Sequence, residues 1–198
     1  MKLNIDDIGR AGLGIFGTKP PTQRELLRAE QLLADAPVHS PLAVARYFEG
    51  MEERNVDGEP YNAEWRVRSN PVIVAFFLQA TNYGEGATDQ TRWCAAFINW
   101  CLMRAKQPHT HSASSGSFRC FGTAVSPPRT GDVAVFKNRG QDELCRGTGH
   151  VAFWLDADPK WVNVLGGNQG NRVKVSRYPA TEAGAGSLPW LTTVRRIE

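Results

Sequence analysis

The feature that most constrains this fold is a change of period partway along the chain. Up to about residue 105, apolar residues recur at helical spacing. From Pro127 onward they come in short runs separated by Gly and Asn, the pattern of antiparallel strands. A helical half feeding a small antiparallel sheet is an α+β architecture. The change of period also brackets reactive side chains. Cys94 opens the last strongly helical run, while His150 and Asn168 stand at the ends of strand-like runs.

The helical half reads in pieces. Thr22 to Ala36 places Leu26, Leu27, Leu32 and Leu33 on one side, Thr22 followed by Glu25 fits a capping box, and Pro37 ends the run. Ser40-Pro41 starts a second helix through Glu53, with Pro41 at the first helical position. A polar, turn-rich link from Asn55 to Asn62 follows. These features set residues 1–64 apart as a helical N-terminal extension and 65–198 as the second unit. In that unit Asn70-Pro71 starts an apolar helix from Val72 to Ala80. A helix from Cys94 to about Ala105 turns Phe97, Ile98, Cys101 and Leu102 toward a core. Strands are expected at Asp132 to Lys137, His150 to Leu155, Trp161 to Leu165, Arg172 to Arg177 and Thr192 to Arg196. If the second and third pair through the Asp156 to Lys160 turn, His150 and Asn168 meet at one sheet edge.

The 198 residues, 41% hydrophobic and 22% charged, suffice to bury a core in a single domain with an appended segment. A net charge of +3 without any Lys/Arg run argues against a nucleic-acid role. No apolar run has the length of a membrane span, and the start of the chain lacks the apolar segment of a secretory signal. The expectation is a protein made in a cytoplasm, exported by a dedicated system or released by lysis.

The chemistry of Cys94 follows from its position. A thiol attacks only as thiolate, and the positive end of a helix favours that form. A histidine must accept the thiol proton and return it to a leaving amine, and His150 is the candidate. A third polar side chain orients the imidazole. Asn168 takes that place, with Gln169 as its nearest rival and a tight Asn-Gly turn as the plain alternative. Cys101, two helical turns after Cys94, reads as core. Cys120 and Cys145 could form a bridge, which the sequence leaves open. His109, His111 and Cys120 lack a second ligand pair, so neither a metal nor another cofactor is expected. Asp89 and Gln90 are weaker candidates for an oxyanion pocket, and Trp154, Trp161 and Trp190 for a sugar or peptide groove, with core packing as the default for the tryptophans.

Several ordered motifs together resemble the CHAP and NlpC-type cysteine amidohydrolases, which share a papain-like fold. They are Asn70-Pro71-Val72-Ile73-Val74, Trp93-Cys94-Ala95-Ala96-Phe97-Ile98-Asn99-Trp100, Pro128-Arg129-Thr130-Gly131-Asp132-Val133, Gly149-His150-Val151 and Val164-Leu165-Gly166-Gly167-Asn168-Gln169. The resemblance runs from about Asn70 to Arg196. It implies peptidoglycan hydrolysis at the muramoyl-L-alanine bond or within the stem peptide, with Cys94 as nucleophile, His150 as base and Asn168 as the third residue. The first 64 residues have no counterpart in these motifs, and no wall-binding repeat is present. That context implies an antibacterial effector loaded into a type VI secretion system and active in a rival's periplasm, with an immunity protein as partner. A phage lysis enzyme is the alternative. A different class, a thiol protease or a binding module acting on a protein partner, stays in view, and loss of activity in Cys94→Ala would separate enzyme from binder.

Overall fold

A computed structural model describes residues 19–83 and 86–198. Its elements are α1 (Gln23–Asp35), α2 (Pro41–Glu49), α3 (Pro71–Ala80) and α4 (Cys94–Arg104), then β1 (Thr123–Ala124), β2 (Val133–Lys137), β3 (Gly149–Ala157), β4 (Trp161–Gly166), β5 (Lys174–Pro179) and β6 (Trp190–Arg196). The strands form one sheet in the order β1-β6-β2-β3-β4-β5. Every neighbouring pair is antiparallel, so the α+β reading holds.

The helix starts follow their capping residues. Thr22 accepts from the Glu25 N–H at 3.3 Å and donates its own N–H to Glu25 Oε2 at 2.7 Å, closing the expected capping box. Ser40 and Asn70 cap α2 and α3, each followed by Pro at the first helical position. Helix α2 ends at Glu49, four residues before the expected Glu53. Gly50 follows, with its N–H on the Arg46 carbonyl and the Met51 N–H on the Phe48 carbonyl. At the other end of the chain, β5 begins at Lys174 rather than Arg172, because residues 168–171 are spent on a turn with positive φ at Asn168, Gly170 and Asn171.

Helix α4 is the hub of the core. It is buried along its whole length from Cys94 to Leu102, which suits its high apolar content. Phe48 of α2 meets Phe76 of α3 at 5.3 Å and Trp100 of α4 at 5.4 Å, both edge-to-face. The N-terminal helices therefore share one core with the sheet. Ala29, Leu32, Val44 and Phe48 belong to the same cluster as Val133, Val135, Val151 and Phe153. Alternation along the strands sends Ala134, Phe136, Ala152, Val162 and Val164 to the opposite sheet face, where Trp154, Tyr178 and Leu191 partly cover them.

The start of β2 is pinned by Asp132. Its carboxylate takes two guanidinium hydrogen bonds from Arg196, at 2.9 and 2.8 Å, and the Arg129 N–H at 2.7 Å. The β3–β4 hairpin forms as expected, with Phe153 opposite Leu165 and Trp154 opposite Val164. Its turn is held by Asp158, whose carboxylate accepts the Lys160 and Trp161 N–H groups. This hairpin carries the segment after β4 back to the first residues of β3.

Candidate active site

Cys94 is the first residue of α4, and no side chain caps that helix start. The first N–H groups of the helix are free to act on the thiol or on a ligand. The thiol is buried, 7% exposed, and the backbone N–H of Val151, the residue after His150, acts on it to favour the thiolate. Thiol and imidazole thus both sit at the first residues of β3. Helical N–H groups and the Arg92 charge favour the thiolate, as the sequence suggested, but desolvation outweighs them and the thiol's pKa is raised.

His150 is 6% exposed and lies opposite Phe136 in the β2–β3 register. Its Nε2 is 2.9 Å from Oε1 of Gln169. The orientation of that amide follows from its other end, where Gln169 Nε2 donates to the carbonyls of Val164 and Lys174. Oε1 can only accept, so His150 Nε2 carries the proton and Nδ1 keeps the basic lone pair. Burial pushes the imidazole pKa down to about 4, against the opposing effect of the Gln169 contact. The Tyr178 ring stacks on the imidazole at 4.7 Å between centroids, 24° from parallel.

Residue 169 reaches His150 because the preceding glycines let the loop close onto α4. A Cβ at Gly167 would lie 2.5 Å from the Trp93 ring, and one at Gly166 would lie 2.7 Å from the Ala152 Cβ. The indole N–H of Trp93 is in turn held by Glu64 at 3.1 Å. Asn168, the residue chosen from the sequence, serves the turn with φ +55 and is half-buried, while the hydrogen bond to the imidazole goes to Gln169. One position along the chain decides this, and hydropathy pattern carries no signal at that resolution.

The other candidates separate cleanly. Cys101 is fully buried core. Cys120 and Cys145 form a disulfide, which removes Cys120 from any metal set with His109 and His111. Among the described residues no group of three His, Cys, Asp or Glu is placed to hold a metal. Asp89 is a brace rather than part of an oxyanion pocket. Its Oδ2 accepts the Trp65 and Asn70 N–H groups, each at 2.9 Å, and burial raises its pKa to about 6. Trp190 lies beneath Lys137 and Arg139, and Trp161 beneath Arg177.

A groove of about 270 Å³ opens over Cys94, lined by Tyr83, Thr91, Arg92, Ala113, Ser114, Ser115 and the segment Gly147 to Gly149. None of the three tryptophans lines it. Larger hollows, such as one of about 470 Å³ beside Arg28 and Tyr61, contain neither cysteine nor histidine, so chemistry rather than size marks the site. One groove wall is zipped together. The Gly147 carbonyl accepts from Gly116 N–H at 3.1 Å and from Ser114 Oγ at 2.8 Å, and Arg119 donates to the Gln141, Glu143, Arg146 and Thr148 carbonyls.

A cysteine at a helix start, beside a sheet bearing a histidine whose far nitrogen is held by an amide, is an arrangement that can carry out thiol-based nucleophilic chemistry. Residues 86–168 match the CHAP domain family. The matched stretch includes Cys94, His150 and Asn168 and stops one residue short of Gln169. Comparison with curated proteins gives no match. Among solved structures, an NlpC/P60 family protein from Bacillus cereus is similar at 15% identity and TM-score 0.40, over 83% of this chain and 42% of that one. The chain thus spans less than half of that relative. The P60 domain of a Mycobacterium avium paratuberculosis antigen aligns at 16% identity and TM-score 0.40, over 87% of this chain and 97% of that one. The peptidoglycan hydrolase RipB of Mycobacterium tuberculosis aligns at 19% and 0.39, over 97% and 80%.

Proposed function

We propose that this protein hydrolyses peptidoglycan at an amide bond of the stem peptide, with Cys94 as nucleophile, His150 as general base and acid, and Gln169 as the residue that orients the imidazole. The observation that carries the reading is the His150 Nε2 to Gln169 Oε1 hydrogen bond at 2.9 Å, which leaves Nδ1 basic on the strand whose next N–H acts on the Cys94 thiol. The CHAP match supports peptidoglycan as substrate.

The steps follow from the atoms available. His150 Nδ1 takes the thiol proton as Cys94 sulfur attacks the amide carbonyl carbon. Backbone N–H groups at the start of α4 face the oxygen that becomes negative. The imidazolium then gives its proton to the leaving amine, the C–N bond breaks and a thioester remains. Water, deprotonated by the neutral imidazole, attacks the thioester and releases a carboxylic acid and the free thiol. The Cys120–Cys145 disulfide favours an oxidising place of action, which suits a periplasmic target and the delivery expected from the sequence.

The test is digestion of isolated peptidoglycan, with the released fragments identified by mass spectrometry. Wild type should release fragments bearing one new amine and one new carboxyl terminus, and Cys94→Ala should release none. Folded wild-type protein that leaves walls of several chemotypes intact would refute the reading.

A further inference from the structure

The groove over Cys94 is neutral apart from one side chain. Among the described residues that line it, Arg92 alone carries a charge, and no aspartate or glutamate faces it there. Arg92 is exposed, and among the described residues it makes no hydrogen bond or ion pair. Several other arginines are paired within the protein. Arg68, Arg119 and Arg196 are all committed to carboxylates or carbonyls of the protein.

Its backbone is held in place although the side chain is free. The turn before it is closed by the Thr91 N–H on the Thr88 carbonyl at 3.1 Å and by the Thr88 N–H on Thr91 Oγ1 at 3.1 Å. Within that turn, Asp89 is bolted to the Trp65 and Asn70 N–H groups. Immediately after Arg92, Trp93 is packed under Gly167. A guanidinium on a fixed stem, two residues from the nucleophile, is placed to meet a group close to the scissile bond, since two residues span at most about 7 Å.

Resting on the hydrolase reading above, we propose that Arg92 forms a carboxylate-binding subsite, so that the preferred substrate is a peptide with a free carboxylate beside the bond that Cys94 attacks. The guanidinium fork matches a carboxylate in two parallel hydrogen bonds and does not match a carboxamide. Stem peptides supply such a pair of chemistries, because the α-carboxyl of a γ-linked glutamyl residue can be free or amidated. The Arg92 charge also favours the Cys94 thiolate. That effect would speed both forms equally, so it is separable from recognition.

The experiment uses two synthetic stem peptides that differ only in free carboxylate against carboxamide at that position, with kcat and KM measured for wild type, Arg92→Gln and Arg92→Lys. Wild type should prefer the acid by about tenfold in kcat/KM, mostly through KM, as expected for one charge-assisted pair. Arg92→Gln should abolish the preference and Arg92→Lys should keep part of it. No preference in wild type, or an equal fall on both peptides in Arg92→Gln, overturns the subsite. If neither peptide is cut, the hydrolase reading fails on these substrates, and calorimetric binding to Cys94→Ala with and without Arg92→Gln decides the subsite alone. An acid preference that depends on Arg92 upholds it, and equal or absent binding overturns it.

Discussion

Gln169→Ala sets the two amides of the Gly166-Gly167-Asn168-Gln169 run against each other. Gln169 is 1% exposed, and its removal strips the acceptor from the His150 Nε2–H in a site where water does not replace it. An unsatisfied buried donor costs about 1–3 kcal/mol. The Val164 and Lys174 carbonyls lose their donor, and the cavity adds about 1 kcal/mol, so a total near 3 kcal/mol is expected. The free imidazole would also populate the tautomer with the proton on Nδ1, which cannot accept from the thiol. With general-base catalysis worth about 100-fold or more, kcat should fall by about that factor. Asn168→Ala should instead cost about 1 kcal/mol, for a left-handed residue that loses its preference, and leave kcat nearly intact. Urea unfolding and turnover of wall fragments measure the two effects separately. The opposite pattern, a silent Gln169→Ala and a dead Asn168→Ala, would refute the assignment and return the third position to Asn168.

Other outcomes follow from the same contacts. His150 has a folded pKa of about 4 against an ordinary 6.5, so its contribution to stability is complete above 6.5 and is lost as pH falls toward 4. Asp89, raised from 3.8 to about 6, has the opposite sign and stabilises as pH falls through the same window. Each displacement is worth about 3 kcal/mol, so wild-type stability should vary little between pH 6.5 and 4. His150→Gln should then gain stability on acidification and Asp89→Asn should lose it, and parallel urea curves for both variants would contradict this pairing. Gly167→Ala should cost about 1–3 kcal/mol by pushing the loop off Trp93 and Phe97, and should lower turnover with it, as urea unfolding and wall digestion would show. Replacing Cys120 and Cys145 by serine should cost about 3 kcal/mol, since the disulfide closes a 25-residue separation, and comparison of urea midpoints would measure it.

The parts legible in the sequence were those set by period and by capping chemistry. The apolar spacing of Phe97, Ile98, Cys101 and Leu102 places the helix that carries Cys94, and Thr22 with Glu25 marks where α1 begins. The β3–β4 hairpin was readable because Asp158 and Pro159 interrupt two apolar runs. Three features were not readable. The end of α2 depends on Gly50 closing onto the helix. The sharing of one core by the N-terminal helices and the sheet depends on Phe48 reaching α3 and α4, a long-range contact that no local pattern encodes. The choice between Asn168 and Gln169 depends on a turn that projects the second amide, not the first, onto His150.

The resting protonation of the site is likewise a tertiary property. Sequence position alone argues for a thiolate, because Cys94 begins a helix, yet the same packing that places it there removes the water that a thiolate needs. Burial also drives the imidazole toward its neutral form. Both partners are therefore held neutral at pH 7, and the charge separation that makes sulfur nucleophilic has to be created when substrate arrives. A substrate carbonyl oxygen beside the first N–H groups of α4 supplies the step with somewhere to put the negative charge, and Gln169 supports the positive charge on His150 by accepting from Nε2. On this argument the free protein should react slowly with a small alkylating reagent at pH 7 while remaining competent toward its own substrate. Fast alkylation of Cys94 at pH 7, with a rate flat down to pH 5, would mean that a thiolate–imidazolium pair already exists in the empty site and that desolvation does not govern it.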